Sequence, residues 1–293
     1  MKSIDCSIII VNYNTCTLTI DCINSIALYS NGFTYEIIVV DNASTDNSAK
    51  VLSVDKRIKY VQNHKNAGFG AANNLGVQYS EGKYIFLLNS DTILLENSIE
   101  KFLKFYSNNE QLLNIGALGG LMIDRKNNII NSGNCFPTSK YFVKSYLRIS
   151  GIDFKINEKL EFQEIDFVTG ANLFISKAKY TEVQGFDENF FLYYEETDFQ
   201  KRLTNLGYKN YLFTDTRIIH LEGGSDDGTT KISNFKRIVI AESKNRFLRK
   251  HDSLYFLFAI IDLPIVLLRL LNNDYSKSEN KEYLKRIFNS YFS

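Results

Sequence analysis

Carboxylates and amides that close short apolar runs are the first residues in this 293-residue chain able to do chemistry. Asn12-Tyr13-Asn14 follows the run 6–11, Asp41-Asn42 follows 36–40, and Asn89-Ser90-Asp91 follows 84–88. Asn89 and Asp91 lie two apart, on one side of an extended chain, and they point toward the site that such a strand tip faces. Tyr13 offers a flat ring for stacking on a pyrimidine. Asp41 offers an acceptor for the hydrogen on that ring's nitrogen. Plainer readings stand beside these: Asp91-Thr92 caps a helix beginning near Leu95, and Asp41-Asn42 is a turn at a strand end.

A second set of reactive types lies further on. The segment Phe190-Phe191-Leu192-Tyr193-Tyr194 runs directly into Glu195, Glu196 and Asp198. A helix dipole favours acids in its first turn, which accounts for part of the pattern. The aromatics imply a partly desolvated wall, where a carboxylate has a raised pKa and serves as a base. His220 closes the strand-like run 214–220 and reads either as a metal ligand or as a structural residue.

Positioning these groups calls for an α/β fold. The runs 6–11, 36–40, 84–88 and 115–123 are continuous and apolar, as expected of strands buried on both faces. Helical spacing occurs over 17–28 and 98–106, and a short helix fits 47–52 before a strand at 58–61. That alternation predicts a mostly parallel sheet whose polar tips share one edge, the edge at which open α/β sheets bind ligands. Residues 66–76, rich in Gly and Asn, enter a helix of small residues. They suit either close approach of backbone amides to a diphosphate or tight helix–sheet packing. Neither GxGxxG nor GxxxxGK[ST] is present. Residues 124–164, with Asn-rich turns and scattered aromatics, read as a variable region that shapes a pocket.

Composition sets the outer bounds. With 44% hydrophobic residues the chain can bury the core of one large domain, with or without an appendage. A net charge of +1 gives no pull toward nucleic acid. The four cysteines form no CxxC pair, so free thiols in a reducing cytosol are expected. The opening apolar run is too short for a signal-peptide core, which predicts a protein that is not exported. Nothing in the sequence specifies an oligomer.

Residues 233–251 carry Lys236, Arg237, Lys244, Arg246, Arg249 and Lys250, and 253–271 is strongly apolar. The apolar stretch nearly reaches the roughly 20 residues of a bilayer span. Asp262, Pro264 and Arg269 oppose spanning. Asp262 and Arg269 fall on one helical face, which suits a helix lying on a membrane beside a basic patch; a helix packed on the core is the other reading.

Taken together, the motifs at 7–14, 39–44, 66–76, 86–92, Gly170-Ala171, 186–198 and His220 resemble family 2 glycosyltransferases of the GT-A fold. The likeness covers roughly residues 5–250 and is strongest to the bacterial rhamnosyltransferase type. It implies a Rossmann-like sheet flanked by helices with a C-terminal helical extension, divided as a catalytic domain over 1–225 and an extension over 226–293. It implies an inverting, metal-dependent transfer of sugar from a nucleoside diphosphate donor to a glycan or polyprenol-linked acceptor in surface polysaccharide synthesis. Deoxythymidine diphosphate–rhamnose is favoured as donor over uridine diphosphate hexoses or N-acetylhexosamines. By the resemblance, Tyr13, Asp41 and Asn74 bind nucleotide. Asp91, His220 and Asn89 hold Mg²⁺ or Mn²⁺, and Gly170, Ala171 and Asp198 face the sugars. Glu196 is the base, with Glu195 as its alternative. Asn89 stands where the family's DxD signature has its first acid, and Glu196 where an Asp is usual. The implied location is cytoplasmic, at the inner face of the membrane, with peripheral lipid contact and no nucleic-acid partner.

Overall fold

The computed structural model describes residues 3–149, 154–221, 232–268 and 274–292. Strand and helix alternate through β1 (Cys6–Asn12), α1 (Cys16–Tyr29), β2 (Tyr35–Asp41), α2 (Ser48–Leu52), β3 (Lys59–Gln62), α3 (Phe69–Gln78) and β4 (Tyr84–Asn89). β1 lies between β2 and β4, parallel to both, and β3 extends the sheet beyond β2. The reason for the continuous apolar runs is visible in their partition. Ile8, Ile10, Val39, Phe86 and Leu88 enter the cluster on one face of the sheet, and Ile9, Ile38, Val40, Ile85 and Leu87 enter the cluster on the other. Register puts Asn12 opposite Asp41 and Val11 opposite Asn89, so the polar tips do share one edge.

After β5 (Thr92–Leu94), α4 (Ser98–Leu113) and β6 (Ile115–Ile123) come β7 (Gly133–Asn134), α5 (Ser139–Tyr146), β8 (Phe162–Ile165) and β9 (Phe167–Val168). β10 (Asn172–Ser176), α6 (Lys177–Glu182), α7 (Glu195–Asn205) and β11 (Lys209–His220) complete this part. Here the sheet becomes mixed, in the order β3-β2-β1-β4-β10-β6-β11-β5 with β8 paired to β11. β10 runs antiparallel to both β4 and β6. Among its described residues the stretch 124–164 thus holds two short strands and a helix. α1 and α4 cover one face through Ile23, Ile26, Phe102 and Tyr106. α3, α6 and α7 cover the other through Ala72, Tyr180, Phe199 and Leu203. Gly76 explains the small residues of α3: a Cβ there would lie 2.4 Å from Ile9 Cγ2, so the helix packs closely on the sheet.

α8 (Asn234–His251), α9 (Tyr255–Leu268) and α10 (Lys277–Ser290) gather around their own cluster, with Phe247, Tyr255, Phe258, Tyr283 and Ile287 buried. Phe142 and Tyr146 of α5 and Phe190 from the loop before α7 join it. The structure corrects two expectations here. Asp262 does not face a membrane surface: it is 1% exposed and accepts from Lys244 Nζ at 2.9 Å, from Tyr291 Oη at 2.7 Å, and from Tyr146 Oη. Burial pushes its carboxyl up, but Lys244 and the two hydroxyls more than reverse this and hold it below the usual range. Arg269, expected on the same helical face, lies outside the described residues. At least three of the six residues of the basic patch are also committed internally. Arg237 stacks on Tyr275 and Tyr283, Lys244 pairs with Asp262, and Lys250 pairs with Asp187 and Asp198. What α9 does expose is apolar: Phe256, Leu257, Ile260, Leu267 and Leu268.

Candidate active site

The edge formed by the tips of β1, β2 and β4 opens into a cleft of about 220 Å³, lined among others by Tyr13, Asn42, Asn66, Gly68, Asn89 and Asp91. Asn14, with φ of 56°, turns the chain after β1, and its side-chain carbonyl accepts the Thr45 N–H at 2.7 Å. This leaves Tyr13 42% exposed on the cleft wall. Asn42 fastens the loop after β3, donating to Asn66 Oδ1 and accepting from Ala67 N–H. Gly68, at φ of 92°, is needed there, because a Cβ would sit 2.2 Å from the Phe191 carbonyl oxygen. That carbonyl accepts the Phe69 N–H at 3.0 Å and so holds the cleft's opposite wall, Phe191 and Leu192, in place.

Asp41 is fully buried behind this cleft. Its Oδ1 accepts from Asn12 Nδ2 and Ser44 N–H, each at 3.2 Å, and its Oδ2 accepts from Tyr60 Oη at 2.9 Å. Of its two readings, these contacts describe the turn-organising one. The placement of Asn74 against nucleotide is corrected as well. Asn74 does not line the cleft; it donates to the Phe186 carbonyl at 2.9 Å and accepts from Tyr180 Oη at 2.7 Å and Phe186 N–H at 2.9 Å, which ties α3 to the segment before α7.

Asn89, Asp91 and His220 come together because β5 folds back onto the end of β11. His220 pairs with Thr92, and Leu221 N–H donates to the Asp91 carbonyl at 2.9 Å. His220 Nε2 is 3.2 Å from Asp91 Oδ1 and 3.5 Å from Asn89 Nδ2. Asn89 Oδ1 is buried without a hydrogen-bond partner among the described residues. An orphaned buried acceptor costs about 1–3 kcal/mol unless something satisfies it. Beside a carboxylate and an imidazole, it fits a hard divalent cation. No group of three His, Cys, Asp or Glu occurs among the described residues, so any such site here depends on the amide.

The acids follow the Phe191–Leu192 wall of the cleft, at the start of α7. Tyr193 and Tyr194 both take left-handed backbone, with φ of 65° and 67°, and this tight turn starts α7 with Glu195 and Glu196 in its first turn. Gly170 makes room for Glu196: a Cβ at 170 would lie 3.3 Å from Glu196 Cβ and 3.3 Å from the Phe69 ring. Ala171 accepts the Asn89 N–H at 3.0 Å, so the Gly170-Ala171 turn joins the acids to the Asn89 tip. Glu195 is buried, and its Oε2 has no partner among the described residues. Burial first, and then repulsion from Glu196, pushes its pKa well above the glutamate range. Glu196 is partly exposed, and its pKa is also raised by desolvation. Together the two resist losing both protons.

Asp198 is a further correction. It is fully buried, and its oxygens are taken by His251 Nε2 at 2.7 Å, Lys250 Nζ at 2.8 Å and Arg202 Nε at 2.8 Å. Burial would raise its pKa, but hydrogen bonds from His251 and Lys250, with the nearby Arg202 charge, bring it down to about 2. It anchors α7 to α8. Sequence reasoning missed Phe69 and Gln200. Phe69 lay inside the glycine-rich stretch, where attention fell on the glycines. Gln200 pins α7 to β9 by accepting the Val168 N–H at 2.8 Å and donating to its carbonyl at 2.7 Å, and its one signal was a polar residue at a helical core position.

A nucleotide-fold sheet with an acid-bearing turn at its edge and paired acids on a facing helix defines the GT-A architecture. Solved structures agree over 99% of this chain. They include Staphylococcus aureus TarS in complex with UDP, with a TM-score of 0.55, 14% identity and 72% of that chain covered. GalNAc-T7 with UDP, GalNAc and Mn²⁺ matches with a TM-score of 0.65, 13% identity and 55% of that chain covered. The family model for glycosyl transferase family 2 matches residues 7–183, and the chain belongs to that family. Curated relatives include an uncharacterised glycosyltransferase of Rickettsia conorii, 34% identical over 139 residues, covering 45% of this chain and 23% of the relative. GlyG of Streptococcus pneumoniae is 28% identical over 165 residues, covering 54% of this chain and 48% of GlyG. The low-salt glycan biosynthesis hexosyltransferase Agl10 of Haloferax volcanii is 27% identical over 200 residues, covering 67% and 60%. The family match ends before α7, so Glu195, Glu196 and His220 lie beyond it.

Proposed function

We propose that the chain is an inverting glycosyltransferase that moves a sugar from a nucleoside diphosphate donor to a glycan or polyprenol-linked acceptor. The observation that carries this is the approach of His220 to Asn89 and Asp91, two lining residues of a cleft walled by Tyr13, with an orphaned amide oxygen among the three. Tyr13 stacks on the nucleobase. Asn89, Asp91 and His220 would hold Mg²⁺ or Mn²⁺, which would supply charge neutralisation to a diphosphate leaving group. A diphosphate neutralised in this way would need no protonation to leave, so one base would suffice, whereas glycoside hydrolysis ordinarily uses two carboxylates. Glu196, the more exposed of the pair and set beside Gly170, takes the acceptor hydroxyl proton. The acceptor oxygen then bonds to the anomeric carbon from the face opposite the leaving group, the bond to the diphosphate oxygen breaks, and the configuration inverts.

Two donor readings follow. The resemblance favours deoxythymidine diphosphate–rhamnose; the UDP bound in both structural neighbours and the hexosyltransferase name of Agl10 favour a UDP-hexose or UDP-N-acetylhexosamine. No helix among the described residues is long and apolar enough to cross a membrane. The apolar side of α9 supports peripheral contact with the inner face of the membrane, where a lipid-linked acceptor of surface polysaccharide synthesis would lie. Residues 226–293 serve in this reading as a helical extension to a catalytic domain over 1–225; the boundary falls outside the described residues. The test is a thermal-shift titration with each nucleoside diphosphate, with and without Mn²⁺. Metal-dependent stabilisation by one of them supports the reading and names the donor class. No stabilisation by either overturns it in favour of a catalytically silent binding module.

A further inference from the structure

A second cavity, about 420 Å³, lies between the loop before α7 and helices α8 and α10, lined among others by Asn189, Phe191, Phe235, Glu242, Arg246 and Arg286. It falls within the roughly 300–1,000 Å³ typical of small-ligand sites. Phe191 belongs to both cavities, so the nucleotide cleft and this one share a wall. Ser243 fixes that wall, its hydroxyl donating to the Leu192 carbonyl at 2.9 Å.

The lining has the chemistry of saccharide recognition. Phe191 and Phe235 meet edge to face, with ring centroids 6.0 Å apart, and Phe235 is 59% exposed. Aromatic faces of this kind take the C–H face of a sugar ring, while Asn189 and Asn289 can bond its hydroxyls. The charges are unequal. Arg286 is locked two-pronged onto Glu242, Nε to Oε1 at 2.6 Å and Nη2 to Oε2 at 2.7 Å. Arg246 is left with a guanidinium 6.0 Å from the Phe190 ring and no carboxylate in ion-pair reach among the described residues. A forked cation with no anion, in a cavity with aromatic walls, fits a carboxylate or phosphate.

We infer that this cavity is an acceptor subsite for a saccharide bearing a carboxylate or phosphate group, held by Arg246 against Phe191 and Phe235. The inference rests on the glycosyltransferase reading. It places the reacting hydroxyl near Glu196, since Phe69, which abuts Gly170 beside that acid, is hydrogen-bonded to Phe191. The acceptor then extends across Phe191 toward α10.

Saturation-transfer NMR on the full chain, with glucose, glucuronate and glucose 6-phosphate as probes, tests it. At least one anionic sugar should bind roughly tenfold more tightly than glucose, and which one does so names the anion. Arg246→Gln should reduce that preference to the glucose level, and Arg246→Lys should keep part of it, with the thermal shift by nucleotide unchanged in both. Equal binding of all three sugars, no binding, or an anion preference that survives Arg246→Gln overturns the inference. Loss of nucleotide stabilisation in the parent protein would instead overturn the glycosyltransferase reading, so the two failures are distinguishable.

Discussion

Asp198→Asn removes one charge and no volume from the junction of α7 and α8. In the parent, the carboxylate receives His251 and Lys250 on one oxygen and Arg202 on the other, all within 2.8 Å, and its pKa falls from 3.8 to about 2. The side chain has no solvent exposure, so that displacement corresponds to about 2.5 kcal/mol of stability at neutral pH. The sign follows from the depressed pKa. The stabilisation is whole above the unfolded value near 3.8 and is lost as pH falls through about 2, with about half remaining at pH 3. The cations are not stranded by the substitution: Lys250 still reaches Asp187 at 2.7 Å, and Arg202 still donates to the Val183 and Gly185 carbonyls. The loss should therefore fall at or below the low end of the roughly 3–5 kcal/mol seen when a buried pair is broken. Urea unfolding followed by circular dichroism should show a variant about 2–3 kcal/mol less stable at pH 7, with the difference shrinking by half at pH 3. Sugar transfer per folded molecule should be kept. A variant as stable as the parent that has lost transfer would refute the anchor and return Asp198 to the substrate.

Glu196→Gln should lower turnover by roughly 100-fold or more while leaving the nucleotide thermal shift intact. Burial pushes the Glu195 pKa well up and so favours its protonated form, so Glu195→Gln should keep most activity; the reverse order in steady-state assays would make Glu195 the base. Because Glu196 must be ionised to act and its pKa is raised, transfer should climb with pH along a limb above the usual glutamate value of about 4.3, and a limb at or below it would contradict the desolvated base. Asn89→Asp adds charge where an amide oxygen now lacks a partner, so half-saturation by Mn²⁺ in the nucleotide titration should move to lower concentration; an unchanged titration would remove Asn89 from the metal site.

What was legible in the sequence follows from the range over which each feature is decided. The buried strands β1, β2 and β4 are set by runs of adjacent residues, and their parallel order makes Asn12, Asp41 and Asn89 neighbours without further information. Roles were harder, because they depend on partners. Asp41 and Asp198 are both acids at credible positions, yet one is taken by Tyr60, 19 residues on, and the other by His251, 53 residues on. Asp262 looked like a charge on a lipid-facing helix until Lys244, Tyr146 and Tyr291 closed around it. A carboxylate alone does not reveal whether its oxygens are committed; only the fold assembles the donors that decide it.

The same network explains why α8–α10 matter to the site. Consecutive left-handed residues at Tyr193 and Tyr194 are costly for side chains of that size, roughly 1–3 kcal/mol each, and persist only where surrounding structure fixes them. The fixing contacts come from the C-terminal helices. Phe247 packs on the Tyr194 ring at 5.7 Å, Ser243 holds the Leu192 carbonyl, and Lys250 and His251 hold Asp198. Their combined contribution is of the same order as the strain it offsets. α8 therefore acts as a clamp that keeps the turn wound and Glu196 beside Gly170. Weakening the clamp should first loosen the acid-bearing turn and only then the sheet, whose core is separate. Hydrogen exchange on Asp198→Asn would show this as protection at 193–198 that falls below that of β1 and β4, and equal protection in both would mean that the turn and the sheet unfold as one unit.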